Sequence, residues 1–437
     1  VSTSPGHRTA AGPAPVTADA ARRTLLWLTV TRWFPVGLTI GVTTLLPLER
    51  GLSLAQIGVI FAMQGFVVLG LELPTGGFAD ALGRRPVLVT ATAVALVSAV
   101  LFVTAQTFAA FVVAMLLQGV YRALDSGPLE SWYVDTAQAD DPDVVVADGL
   151  SRAGTALGGA IAVGALVAGG VIAWHPVRAL TALENAYWLA IAFHAVNLLA
   201  TAVLMREPAT HVDGRGVRRA LASARQAPAV VAGGIGLLRT NRVLLALVGV
   251  EVFWSVGMIA FETLMPVRLS ELVGGEARAG ALIGPVSAAA WGLFAAGSAG
   301  AALLARRIGV TRTAIASSVA RAAAVVVMGL VAGPVGLVTA FLVVYTLHGT
   351  GGPVHATLLH REAEAHNRTT VLSINSMVAG GAFSLGMLAL GPLAEATSTA
   401  TGIVVAGTFS VLGAALYLPA LRRERAMPAV RARAIDA

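Results

Sequence analysis

The sequence predicts an all-α membrane protein whose twelve transmembrane helices form two pseudo-symmetric six-helix bundles. Three observations carry this. First, the chain has 437 residues, 56% hydrophobic and only 12% charged, with mean hydropathy +0.78. A soluble domain carries about 25% charged residues, so this composition cannot cover a water-facing surface. Second, apolar runs near the ~20 residues that cross a bilayer recur from end to end. Third, the arginines sort into alternate loops, as chain crossings of a membrane require.

The first six spans read as Thr24 to Leu48, Leu54 to Phe78, Val87 to Ala105, Phe108 to Thr136, Gly149 to Ile172 and Leu183 to Met205. The last six read as Val243 to Leu269, Ala281 to Leu304, Thr313 to Val331, Gly336 to Leu359, Thr370 to Leu390 and Gly402 to Leu421. Segments this long without strict alternation are helices, which satisfy their own backbone groups in lipid. The resulting domains are a disordered N-terminal tail at 1–23, a six-helix bundle at 24–205, a central loop at 206–242, a second bundle at 243–421 and a C-terminal tail at 422–437. The tail at 1–23 lacks the apolar core and cleavage site of a signal peptide.

One set of loops holds Arg84 and Arg85, then Arg206 to Arg242, then Arg306, Arg307, Arg312, Arg361 and Arg368, and both termini fall on that side. The opposite loops hold only Arg50, Arg178, Arg268 and Arg278. By the positive-inside rule both termini and the central loop are cytoplasmic, in a bacterial inner membrane. Even parity supports twelve spans. Within the central loop, Val217 to Leu238 reads either as a helix lying on the cytoplasmic face or as an ordinary linker.

All 30 basic residues are arginine, which indicates GC-rich coding rather than a mechanism. The pI near 10.8 does not signal nucleic-acid binding, because the arginines sit in short loops between apolar runs. The absence of cysteine excludes disulfides, thiol catalysis and thiolate metal sites. No G-x-x-x-x-G-K-[ST] phosphate loop occurs, so nothing points to an ATP-driven pump.

The two halves repeat one another. SGPLESWYVD from Ser126 aligns with GGPVHATLLH from Gly351 at a shift of 225. Gly158, Gly159, Gly164 and Gly169 align with Gly380, Gly381, Gly386 and Gly391 at a shift of 222. ADALGRRP from Ala79 aligns with LARRIGVTR from Leu304 at a shift near 226. Three matches in order at nearly one shift indicate a parallel duplication of the kind that builds transporters.

The stretch GGFADALGRR resembles the loop signature of the major facilitator superfamily between helices 2 and 3, with Gly76, Asp80, Gly83, Arg84 and Arg85 matching and Ala81 replacing a basic residue. The resemblance implies the major facilitator fold over essentially the whole chain. It also implies a conformational latch: Asp80 bracing the first half against helix 11, and Arg84 pairing with Asp135 at the end of helix 4. The alternative is that Arg84 and Arg85 only set topology. LELPTGGFAD and ALDSGPLESWYVD further resemble drug:proton antiporters that confer multidrug efflux and antibiotic resistance. The Gly-Pro-x-x-Gly-Gly element of such antiporters is missing from helix 5, which departs from that subtype.

A charge near the bilayer centre costs at least ~2.5 kcal/mol and needs a partner, water or a function. Arg32 and Glu72 lie at similar depth and are expected to pair, as a structural bridge or as a gate opened by protonation. Arg122 and Asp125 are three apart and able to pair along one face, with Glu130 beyond them. In the resemblance, Arg122 stands for the helix 4 arginine associated with proton coupling. Glu251 and Glu262 share a face of helix 7 with Trp254, a mixture suited to amphipathic cations. Glu251 is the preferred carboxylate, Glu262 being placed late in the helix. His348 and His355, seven apart, either line the cavity or pack; zinc on a helix favours spacings of three or four, so no metal is expected.

These residues together predict a secondary transporter, not an enzyme: a monomer in the lipid bilayer exporting a small lipophilic or cationic compound against protons. Glu72, Asp125 and Glu251 are the candidate proton carriers. No cofactor is expected beyond the proton gradient. The alternative is a proton-coupled importer of a small nutrient.

Overall fold

A computed structural model describes residues 16–206, 225, 229, 232–364 and 367–426, with the side chains of 73–77, 80 and 369 not described. Every regular element among these is helical, and twelve helical segments are long and apolar enough to cross a membrane. The N-terminal tail up to residue 15, most of the Arg-rich central loop and the end of the C-terminal tail lie outside the described residues. Residues 232–240 of that loop are helical.

The spans are numbered in chain order. Span 1 runs Ala18–Glu49, beginning ahead of the expected Thr24, and is interrupted at Ile40–Gly41. Span 2 is Leu54–Leu82, span 3 Arg84–Thr104, span 4 Phe108–Asp140, span 5 Val146–Trp174 and span 6 Ala182–Leu204. Span 7 is Arg242–Val273, span 8 Glu276–Ile308, span 9 Val310–Leu330, span 10 Pro334–Glu362, span 11 Arg368–Ala396 and span 12 Thr399–Ala426.

Local chemistry sets many of these ends. Spans 2 and 6 each start on a reciprocal cap, Ser53 with Gln56 and Thr181 with Glu184, which satisfies orphan N–H groups. At the end of span 3, Arg50 donates to the carbonyls of Val103 and Ala105 (both 2.5 Å) and to Glu184 (2.6 Å), holding the first half together away from the termini. Spans 2 and 3 meet at one residue, Gly83, with φ 95° and ψ 150°. Spans 8 and 9 meet at Gly309, with φ 89° and ψ 153°. The two are 226 positions apart, so the duplication extends to the backbone conformation. Only glycine occupies that region without strain of ~1–3 kcal/mol. Gly83→Ala and Gly309→Ala are each expected to lower the thermal midpoint of the detergent-purified protein; unchanged midpoints would refute the strain argument.

Span 4 departs from the continuous helix expected of it. It breaks at Ser126–Gly127, Gly127 having φ 92°, and resumes at Pro128. Span 7 carries a π-helical turn at Ala260–Leu264 and span 12 a 3₁₀ stretch at Leu412–Tyr417.

In the first half span 1 packs on spans 5 and 6, and span 4 on spans 2 and 3; in the second, span 10 packs on spans 8 and 9, and span 7 on spans 11 and 12. The halves meet along spans 2 and 11 and along spans 5 and 8. Near the end opposite the termini the contact is backbone on backbone. A Cβ on Gly284 would lie 2.6 Å from Gly169 Cα, and one on Gly391 would lie 3.4 Å from Gly58 Cα. Gly169 and Gly391 are 222 apart, and Gly58 and Gly284 are 226 apart, so these are two copies of one contact. Toward the termini spans 5 and 8 part. Gly158, three turns along the same face from Gly169, has nothing within 4 Å of its Cβ position, and Ala295, three turns from Gly284, is exposed. The cleft between the halves is therefore closed at the loop end and open, between these spans, at the end bearing the termini.

Candidate functional site

The break in span 4 creates the first buried cluster. It leaves Asp125 at a helix C-terminus, where backbone carbonyls lack intrahelical donors and the helix dipole is negative. Arg32 from span 1 fills that position. Its Nε lies 2.6 Å from Asp125 Oδ2, its Nη2 donates to the Asp125 carbonyl (3.0 Å), and its Nη1 is 3.6 Å from Glu130 Oε1. A cavity of about 10 Å³, close to the size of one water, adjoins the pair between Thr92, Asn197 and Thr201.

This corrects two expectations. Arg32 pairs with Asp125 rather than Glu72, because equal depth says nothing about which way a side chain faces. Glu72 instead accepts from Ser376 Oγ of span 11 (3.1 Å), a polar contact across the seam between halves. Arg122 does not pair with Asp125; it is exposed and makes no ion pair among the described residues.

The second cluster joins span 7 to span 10. Glu251 lies 3.2 Å from His355 Nε2 and accepts from Asn375 Nδ2 of span 11 (2.9 Å), while His355 Nδ1 meets the Tyr417 hydroxyl of span 12 (2.9 Å). Beside it Arg321 of span 9 is 4% exposed and stacks on Trp254 with its guanidinium 3.7 Å from the ring centroid. Trp254 is thus already a cation acceptor, for an internal cation. Glu262 lies on the π turn and accepts from the Tyr345 hydroxyl (2.6 Å). Both glutamates of span 7 therefore face span 10, ten residues apart along it, roughly 15 Å at 1.5 Å per residue. His348 is set among aromatic rings rather than beside His355, and no metal-ligand cluster occurs among the described residues.

The clusters are related. Glu130 and His355 occupy equivalent places of the repeat, 225 apart, on spans 4 and 10. Each meets a partner on the first span of its half, Arg32 at 3.6 Å from Glu130 and Glu251 at 3.2 Å from His355. The duplication has kept a contact between the first and fourth spans of each half, with the carboxylate on span 4 in the first half and on span 7 in the second.

The latch residues lie at the termini end. Gly83 makes the turn between spans 2 and 3. Arg84 donates to the Asp135 carboxylate and to the Ser131 carbonyl, and Arg85 donates to the Ala202 carbonyl at the end of span 6 (2.7 Å). Gly76 and Asp80 lie within span 2, where the side chains of 73–77 and 80 are not described.

Arg321, Asn375, Tyr345 and Tyr417 were not foreseen from sequence. Arg321 was available as the one charge between Thr313 and Val331. The other three are polar side chains of ordinary kind whose partners only packing identifies.

Twelve membrane-crossing helices in two bundles, a cleft between them and buried polar clusters in each define a multi-pass membrane transporter. The chain belongs to the major facilitator superfamily, whose family model matches residues 25–359. Similar solved structures include nucleoside transporter NupG, with TM-score 0.73 and 12% identity, covering 91% of this chain and 98% of that one. They also include a proton dependent oligopeptide transporter (0.68, 11%, covering 94% and 100%) and a POT family transporter in complex with a thioalcohol conjugated peptide (0.70, 10%, covering 93% and 96%). At such identities the likeness is one of fold. No curated protein matches the chain.

Proposed function

We propose that the chain is a proton-coupled secondary transporter that exports small lipophilic or cationic compounds across the bacterial cytoplasmic membrane. The observation that carries this reading is the pair of buried clusters, Arg32 with Asp125 and Glu130, and Glu251 with His355. Each ties the first span of a half to the fourth and contains a carboxylate. Protonating a carboxylate removes its Coulomb attraction and shifts the population toward the conformation that binds the proton more tightly. With the termini cytoplasmic by the arginine distribution, the described state faces the cytoplasm. Movement of spans 5 and 8 would then open the other end. In this scheme the Arg84–Asp135 pair, already formed in the described state, steadies the turn between spans 2 and 3, Asp80 braces that turn against span 11 in the alternate state, and Glu72 with Ser376 joins the two halves.

Export is favoured by the resemblance of spans 2 and 4 to efflux members. Import of a small nutrient is the second reading, favoured by the fold likeness to nucleoside and oligopeptide transporters. The same carboxylates serve either direction, so transport direction separates them. In everted vesicles with an acidic lumen, ethidium addition is expected to discharge the proton gradient, and Glu251→Gln to slow that discharge at least about tenfold. Discharge at the wild-type rate in that variant would remove Glu251 from coupling. No discharge with any dye of a broad panel would remove the export reading.

A further inference from the structure

Glu262 takes no part in either ion-pair cluster. It lies on the π turn of span 7, where the helix carries an extra residue, and is exposed while its carboxylate accepts from Tyr345 of span 10 (2.6 Å). A carboxylate held against span 10 and exposed there is placed in the cavity between the halves rather than in lipid, where it would cost at least ~2.5 kcal/mol. Immediately beyond it Met265–Val273 packs on Val42–Glu49 of the first half, so the cavity is roofed at the loop end. A carboxylate open at this depth calls for water or a cation.

The surroundings specify which cation. The His348 ring is 5.2 Å from Trp254, 5.3 Å from Phe261 and 5.5 Å from Phe294, and Tyr345 both flanks it at 6.3 Å and donates to Glu262. Next in the row, Trp291 lies 5.5 Å from Phe294. Two ring nitrogens, His348 Nδ1 and Trp291 Nε1, are buried behind this surface without a hydrogen-bond partner. The wall therefore offers one exposed carboxylate and the partly exposed rings of His348, Phe294 and Trp291, backed by the buried rings of Phe261, Tyr345 and Trp254. Aromatic faces attract cations and stack with planar rings.

We propose that this wall, centred on Glu262, Phe294 and His348, is the substrate site and that it selects planar aromatic cations. The charge of the ligand lies on Glu262, oriented by Tyr345, and its ring lies against Phe294 and His348. Glu251 and His355 lie closer to the termini end and remain available for the proton. The proposal rests on the transport reading above and deepens it by naming the substrate class and separating the binding carboxylate from the coupling one.

The test is equilibrium binding of ethidium to the purified protein in lipid nanodiscs, without any gradient, read by fluorescence polarisation. Saturable binding is expected, weakened about tenfold or more by Glu262→Gln and about fivefold by Phe294→Leu, on the scale of a lost charge–cation or ring contact. Glu262→Asp should recover part of the loss. Leu199→Ala, on a residue 65% exposed on span 6, should bind as wild type. Thermal midpoints near wild type establish that the variants fold, and Phe294→Leu keeps the test usable if Glu262→Gln does not. Absence of ethidium binding, wild-type affinity in Glu262→Gln, or equal competition by an uncharged phenanthridine would overturn the proposal. If binding behaves as expected but no gradient drives ethidium movement, the proton-coupling reading falls while this site stands.

Discussion

Replacing Gly284 with leucine is expected to open the transporter at the end away from its termini. A side chain there has no room: its Cβ would lie 2.6 Å from Gly169 Cα and 2.7 Å from Gly169 N, both backbone atoms that cannot turn aside. Overpacking of this kind costs ~1–3 kcal/mol, and here the cost falls only on the conformation in which spans 5 and 8 touch. At about 1.4 kcal/mol per factor of ten, that shifts the two-state balance about five- to more than a hundredfold. Because the chain has no cysteine, two introduced cysteines give two labels and no others. Spin labels at Val177 and Ala396, both exposed at the loop end on opposite halves, should move apart in Gly284→Leu. Gly391→Leu, at the repeat-related contact with Gly58, should act in the same direction. An unchanged distance distribution in both variants would show that these glycines only pack and do not govern the closed end.

Those glycines illustrate what the sequence made legible. Gly169 and Gly391 belong to the spacing that exposed the duplication, and the aligned segments ADALGRRP and LARRIGVTR contain Gly83 and Gly309, which the structure shows to be equivalent turns. Composition and arginine distribution were enough for twelve spans, since crossing a bilayer leaves a chain few alternatives. The pairing of Arg84 with Asp135 was also readable, because both sit at helix ends where little else competes. Inside the bundles legibility stopped. Depth along a helix follows from counting residues, but azimuth depends on backbone irregularities that the pattern does not reveal. Gly127 ends a helix at Asp125 and so draws Arg32 away from Glu72. The π turn at Ala260–Leu264 turns Glu262 toward Tyr345. Arg321 was visible as a charge in an apolar span, yet its cover, the Trp254 ring, comes from a span about seventy residues away.

The largest stability effect is expected at the Arg32 cluster. Asp125→Leu leaves a guanidinium whose side chain is only 13% exposed, with Glu130 at 3.6 Å as its remaining carboxylate. Stranding a buried charge costs ~3–5 kcal/mol, and the surviving Glu130 contact places this case toward the lower figure. Removing both charges, in Arg32→Met with Asp125→Leu, replaces the pair by apolar groups of similar volume, a change that is often neutral or stabilising. The single variant should therefore melt well below wild type in detergent and the double variant close to it. Function should follow a different order. If the pair only braces spans 1 and 4, the double variant regains proton-driven ethidium movement along with its stability. If the pair carries coupling, the double variant folds and still binds ethidium but loses the dependence of transport on the proton gradient. The coupling reading expects the second result, and recovery of gradient-driven transport in the well-folded double variant would reassign Arg32 and Asp125 to structure alone and leave Glu251 as the coupling carboxylate.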